Sequence, residues 1–255
     1  MAKNNWTYEE HILAYNLYCK IPFTKINSTY PPVKELAKII GRTSGSVAMK
    51  LANFARLDPY QQARNVSGLS QGAKGEEVVW NEFNDNWEEL VYKSEQILAR
   101  YKNNPIEISS DIPTIDLPPE GKEREVIIKA RVNQSFFRKS VIASYNFKCC
   151  ITNIAIPELL VAGHIIPWSI SKEHRTNPAN GLCLNALHDK AFDKGLITIT
   201  PDYEIRLSKG LFSKVNKLDI DNFFLPYNNK KMYLPQKFHP LKEFLEYHND
   251  NIFLH

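Results

Sequence analysis

Apolar and polar positions divide the chain into a long helical half and a shorter mixed half. Thr7, followed three residues later by Glu10, reads as a capping box, and Ile12, Leu13, Leu17 and Tyr18 carry an amphipathic helix to about Tyr18. Tyr30-Pro31-Pro32 breaks the chain before a helix predicted over 33–40. Gly41 supplies a turn, and Thr43 or Ser44 caps a further helix with Val47, Leu51 and Phe54 on one side. A helix is expected over 76–101, with Val78, Val79, Trp80, Phe83, Leu90, Val91 and Ile97 on a packed face and Asn86 as a candidate interruption. Pro105, Pro113, Pro118 and Pro119, among scattered acids, mark 103–122 as a linker between modules 1–102 and 123–255.

The second module opens with a basic amphipathic helix over 124–145 that carries Arg131, Arg138 and Lys139. Further on, 159–166 is a short apolar strand ending at Pro167, 177–181 is rich in turn formers, and 182–184 is a second strand. The stretch 185–193 then reads as a helix stopped at Gly195. Residues 196–208 read as a hairpin about Pro201-Asp202, and 239–248 as a short helix whose His239 and His248 are read as structural. The strand–loop–strand–helix stretch sets His164, Asn180 and His188 at intervals of 16 and 8 residues.

The segments A-G-H-I-I-P-W, N-P-A-N-G-L and L-H-D-K-A-F-D-K-G, between Ala162 and Gly195, resemble the HNH nucleases with a ββα-metal site, above all their restriction-type branch. The run from Arg131 to Tyr145, followed by K-C-C-I-T-N, also matches what precedes the site in that branch. The resemblance implies an α+β protein: an N-terminal all-helical, helix-turn-helix-like module and a C-terminal ββα-metal nuclease module. It implies His164 as general base, Asn180 as the brace of the loop that aims it, and His188 as a metal ligand from the helix. These roles suit the chemistry. A neutral His near its ordinary pKa of about 6.5 can take a proton from water, and a hard divalent ion, Mg²⁺ before Mn²⁺, can polarise a phosphate. Many members carry an Asp ligand just before the base, where this chain has Gly163. The metal must therefore use another ligand, Asp193 or a residue far away in sequence, or be held mainly by substrate and water. Asp193 is a candidate, with a helix-terminal structural role equally open, because five residues place it about 140° around a regular helix from His188.

The stretch from Val33 to Phe54 resembles the DNA-reading helix pairs of Myb-like and sigma-factor-like domains, which implies Arg42, Ser44, Ser46, Lys50 and Asn53 as phosphate or base contacts. Such geometry also occurs in purely structural bundles. Arg138 and Lys139 are open to gripping a DNA backbone or forming a solvated face, and Arg175 to holding a phosphate or bracing its loop. The glycine-rich stretch 68–75 invites a phosphate-loop reading. That reading fails because the spacing is wrong and Gly75 stands where Ser or Thr should bind Mg²⁺, so a flexible lead into the next helix is expected.

Composition narrows the partners. Over 255 residues, 43% hydrophobic and 24% charged content is that of a globular protein, and a net charge of +4 is compatible with a polyanion. No run approaches ~20 apolar residues and the start lacks the apolar core of a signal peptide, so no membrane partner and a cytoplasmic location are expected. Cys19, Cys149, Cys150 and Cys183 contain no C-x-x-C pair, so buried thiols rather than a structural zinc are expected. The combined expectation is a metal-dependent endonuclease of double-stranded DNA, acting as a homodimer because one site cuts one strand at a time. The alternatives are a modification-dependent nuclease, an RNA or single-strand nuclease, and a DNA-binding regulator whose nuclease module is degenerate at Gly163.

Overall fold

A computed structural model describes residues 5–64 and 74–255, so 68–73 of the glycine-rich stretch lie outside the described residues. The chain divides into two compact units, Met1–Ser140 and Val141–His255. The division falls within a long helix rather than within 103–122. No helix among the described residues is long and apolar enough to cross a membrane.

The first unit is helical: α1 (Tyr8–Lys20), α2 (Pro31–Ile39), α3 (Ser44–Leu57), α4 (Pro59–Gln62), α5 (Lys74–Phe83), α6 (Trp87–Lys102) and α7 (Ile106–Ser109), followed by α8 (Lys122–Ser144). The capping box forms as the sequence predicts. Thr7 Oγ1 accepts from the Glu10 amide, and Glu10 Oε2 accepts from the Thr7 amide at 2.7 Å. Pro31 and Pro32 sit inside the first turn of α2 instead of before it, where their missing N–H groups cost nothing. Helix α1 is the centre of the unit and packs against α3, α5 and α6. Its Tyr15 lies 5.0 Å from the Phe54 ring, and its Tyr18 hydroxyl donates to Asp58 at 2.6 Å.

The helix expected over 76–101 is two helices, broken between Phe83 and Trp87 at the flagged Asn86, the cap residue of α6. Val79, Phe83, Leu90, Val91 and Ile97 are buried, but Val78 is 53% exposed, one position off the packed face. The proline-rich stretch 103–122 is folded onto its neighbours. Ser109 and Ile112 are buried, Arg124 bonds Glu107 and the Pro118 carbonyl, and Arg131 donates to the Pro113 carbonyl.

The second unit holds two small antiparallel sheets. Strand β1 (Leu160–His164) pairs with β2 (Gly181–Asn185), from Leu160 opposite Asn185 to His164 opposite Gly181. Helix α9 (Ala186–Asp193) follows directly and packs on both strands. The expected hairpin forms from β3 (Ile197–Ile199) and β4 (Ile205–Leu207). Two helices unassigned from the sequence follow, α10 (Lys209–Lys214) and α11 (Lys217–Phe223), before the last helix, α12 (Lys242–Asn251).

The end of the chain clamps the exit of α9. Gly195 turns at φ +64°, the Leu254 amide bonds its carbonyl, and a Cβ there would meet the Ile252 carbonyl oxygen at 2.0 Å. His248 is buried and stacks on Phe192 with ring centroids 3.6 Å apart. Its Nε2–H donates to the Phe192 carbonyl, and the Thr198 hydroxyl donates to its Nδ1.

Two predictions follow from this clamp. Gly195→Ala combines a left-handed backbone with a backbone clash, so thermal or urea unfolding should show a loss of roughly 2–4 kcal/mol. Burial depresses His248 to a pKa of about 4 against its ordinary 6.5. The unfolded chain therefore takes up this proton first as pH falls, and the stabilisation present above pH 6.5 is lost between 6.5 and 4. The total is about 3 kcal/mol. Urea titrations at pH 7 and pH 4.5 should show a smaller acid loss for His248→Phe than for the native chain.

Candidate active site

Pairing of β1 with β2 brings the ends of a long loop, 165–180, together, and Asn180 closes it. This side chain is 1% exposed. Its Oδ1 accepts from the Ile166 amide at 2.8 Å, while its Nδ2 donates to the carbonyls of Ile166 at 3.1 Å and His174 at 3.2 Å. The Ile165 amide bonds the Asn180 carbonyl, continuing the strand pairing into the loop. Asn177 caps the short turn before it by accepting from the Ala179 amide. Asn180 is thus a positioning residue: every polar atom of its side chain serves the loop.

The loop in turn fixes His164, the last residue of β1. Its Nε2–H donates to the Arg175 carbonyl at 3.0 Å, which leaves Nδ1 as the proton-accepting nitrogen of the neutral ring. Trp168 meets the imidazole edge-on at 5.6 Å. Arg175 lies over the Trp168 ring at 5.0 Å and donates through Nε to the Trp168 carbonyl, so it braces this corner. Burial pushes the His164 pKa below its ordinary value, only partly offset by the Arg175 carbonyl and the negative charge of Asp193. At neutral pH the ring is therefore uncharged, the state a general base requires.

His188 lies inside the second unit. It is 3% exposed on the first turn of α9, which Asn185 caps by accepting from the His188 amide. Nδ1 lies 3.0 Å from Asn185 Oδ1, and Nε2 lies 3.0 Å from the Phe223 carbonyl. Phe224 and Tyr227 pack on the ring. A neutral imidazole has one N–H, so only one of these oxygens accepts a hydrogen bond from the ring and the other nitrogen keeps its lone pair.

Asp189, which the sequence reading passed over, occupies the telling position. A Cβ built on Gly163 would stand 2.5 Å from Asp189 Oδ1, so the carboxylate fills the space beside β1 where a side chain at 163 would go. Burial and the charge of Asp193 push the Asp189 pKa up to about 6. The signal was in the sequence: Asp189 and Asp193 are four apart, so they share a helix face, whereas His188 and Asp193 do not. Among the described residues no three His, Cys, Asp or Glu side chains form a closed metal cage. A two-carboxylate donor set still fits a hard divalent ion, which is held by one or two carboxylates with water and phosphate completing its shell. The four cysteines are buried free thiols, and Cys149 Sγ accepts from the Asn185 amide.

In the first unit, α2 and α3 form the expected helix pair about Gly41, which turns at φ +67°. The polar side chains proposed for DNA contact are not all on its surface. Lys50 and Asn53 are 6% and 7% exposed and turn inward, where both donate to Glu76 Oε1, at 2.5 Å and 2.8 Å. This corrects their reading as groove-facing residues: a fully buried carboxylate demands partners, and they supply them. Arg42 bonds Glu10 and the Asn5 carbonyl and lies over Trp6. Ser44 and Ser46 are half-buried at the start of α3, and Arg138 and Lys139 are exposed on α8.

Residues 149–200 match a family model described as HNH_2, HNH endonuclease, a span that includes β1, the closing loop, β2, α9 and β3. A search of the curated proteins found no match. The family match supports an HNH nuclease, hence a hydrolase acting on DNA.

The burial of the Lys50–Glu76 pair yields a prediction. Lys50→Ala strands a buried carboxylate, so chemical denaturation should show a loss of about 3–5 kcal/mol. A variant as stable as the native chain would return Lys50 to the surface.

Proposed function

We propose that the protein is a metal-dependent endonuclease of double-stranded DNA, of the restriction type. The observation that carries the reading is His164, held neutral with its Nε2–H tied to the Arg175 carbonyl inside a strand–loop–strand–helix segment that matches HNH endonucleases. Phosphodiester hydrolysis needs an activated water, stabilisation of charge on the phosphate, and a leaving 3′ oxygen. The water oxygen bonds to phosphorus, its proton passes to Nδ1 of His164, and the P–O3′ bond breaks with its electron pair on the 3′ oxygen. A divalent ion in such a site supplies the Lewis acidity that polarises the phosphate and supports the leaving oxygen.

The helical unit is the proposed duplex-reading part, through the start of α3 rather than through Lys50 and Asn53. Ser44 and Ser46 stand there, beside helix amides suited to a phosphate. Arg138 and Lys139 add positive charge for the DNA backbone. A homodimer remains the simplest route to a double-strand cut, and it belongs to the same proposal.

Plasmid and phage DNA, unmodified and base-modified, should be cut into discrete fragments with Mg²⁺ or Mn²⁺ and left whole with EDTA. His164→Ala should lose roughly 10²- to 10⁴-fold in cleavage rate and retain duplex affinity by gel shift. Cutting that survives the substitution would remove His164 from the chemistry. Tight duplex binding with no cutting by the native chain would favour the regulator instead. Linear rather than nicked product, with a dimer mass by light scattering, would support the two-chain cut.

A further inference from the structure

We propose that Arg175 is a catalytic residue of this site: its backbone carbonyl holds the base, and the outer edge of its guanidinium holds the phosphate that is cut. The proposal deepens the nuclease reading above and rests on it for the substrate, a phosphodiester of duplex DNA.

The two ends of this residue are spent differently. At the backbone, the Arg175 carbonyl accepts from His164 Nε2–H at 3.0 Å. At the side chain, Nε donates to the Trp168 carbonyl at 2.7 Å, and the guanidinium carbon lies 5.0 Å from the centre of the Trp168 ring. The same indole meets the His164 imidazole edge-on at 5.6 Å, so cation and base stand against one tryptophan. They are near enough for the charge of Arg175 to act on the His164 ring.

Bracing the corner takes only the Nε–H and one flat face of the guanidinium. Its two terminal amino groups hold the remaining N–H donors, and these meet no acceptor among the described residues. Among those residues no carboxylate pairs with Arg175 either, in contrast to Arg42 and Arg124, which each meet a glutamate. A half-buried cation with unspent donors is poorly compensated until an anion reaches it. A lysine could supply the charge, but neither a flat face for Trp168 nor a fork matched to two phosphate oxygens. Held by Nε and by the ring, the fork is in place before substrate arrives. As the water oxygen bonds to phosphorus, negative charge gathers on the non-bridging oxygens, and a fixed guanidinium stabilises that state more than the ground state. One residue thereby sets both the seat of the base and the seat of the phosphate.

The test separates the cation from the brace. Arg175→Gln keeps a flat amide able to donate to the Trp168 carbonyl and removes the charge, whereas Arg175→Lys keeps the charge and removes the fork. Duplex affinity is measured by fluorescence anisotropy across a range of salt, with the full chain in a His164→Ala background that holds DNA uncut. Arg175→Gln should melt near the native temperature and lower the slope of log affinity against log salt by about 1, one phosphate contact. Arg175→Lys should keep the slope. With His164 in place, Arg175→Gln should lower kcat roughly 10²- to 10³-fold while KM changes by less than about threefold, and Arg175→Lys should recover part of the rate.

An unchanged salt slope in a folded Arg175→Gln overturns the proposal, as does cleavage by that variant within about twofold of the native rate. If the glutamine variant melts early, the lysine variant decides, because it also loses the Nε bond but keeps the charge. A slope kept by a folded Arg175→Lys supports the phosphate contact, and a slope lowered by about 1 overturns it. Failure of the nuclease reading looks different: a native chain that cuts no DNA, while Arg175→Gln still lowers the salt slope, keeps the phosphate contact and loses the endonuclease.

Discussion

The geometry of the second unit depends on one buried amide. Asn180 holds the ends of the loop between β1 and β2 by pairing with both backbone groups of Ile166 and with the His174 carbonyl. Only a carboxamide can do this, because the site asks for one acceptor and two donors from the same small group. An aspartate would set a charge against two carbonyls, and an apolar residue would leave three backbone groups unpaired out of water. The placing of the candidate base is downstream of that closure. The Arg175 carbonyl that selects the tautomer of His164 lies on the closed loop, as does the Trp168 ring that meets the imidazole edge-on.

The first unit shows the opposite use of polar groups. In its pair of helices α2 and α3, the central polar residues of α3 are spent internally on Glu76. Removing a carboxylate from water is costly unless charge and hydrogen bonds compensate, so once Glu76 is buried, Lys50 and Asn53 are committed. The outward positions left near the start of α3 are small or apolar, Gly45, Ser46 and Met49. Such a face suits close approach to a backbone better than a rich pattern of side-chain contacts to base edges.

The sequence made legible those elements with hard punctuation. Thr7 with Glu10 marked the start of α1, Pro167 and the turn formers before Gly181 separated β1 from β2, and Gly195 stopped α9. Facing was harder to read than existence. Val78 lies one position off the packed stripe, and Lys50 and Asn53 point inward, because a charged residue is assigned to the surface until a buried partner is known. That partner, Glu76, is 26 residues away from Lys50 in sequence, beyond what periodicity sees. The helices over 209–223 offered few strong signals, being short and weakly patterned. In the site, His164 and Asn180 were legible as residue types at a recognisable spacing. Asp189 was not, because its meaning comes from an empty position on a different element.

Gly163 reads at first as damage to a metal site, and packing gives it another sense. A residue on β1 facing α9 sets how near the helix can come, and glycine permits the nearest approach. The helix takes that space with a carboxylate rather than with a methyl group, which in a half-buried setting needs a reason. Burial and the charge of Asp193 raise the Asp189 pKa to about 6. Glycine on the strand therefore makes room for the carboxylate of the helix, whose Oδ1 lies 2.5 Å from where a Cβ at 163 would stand.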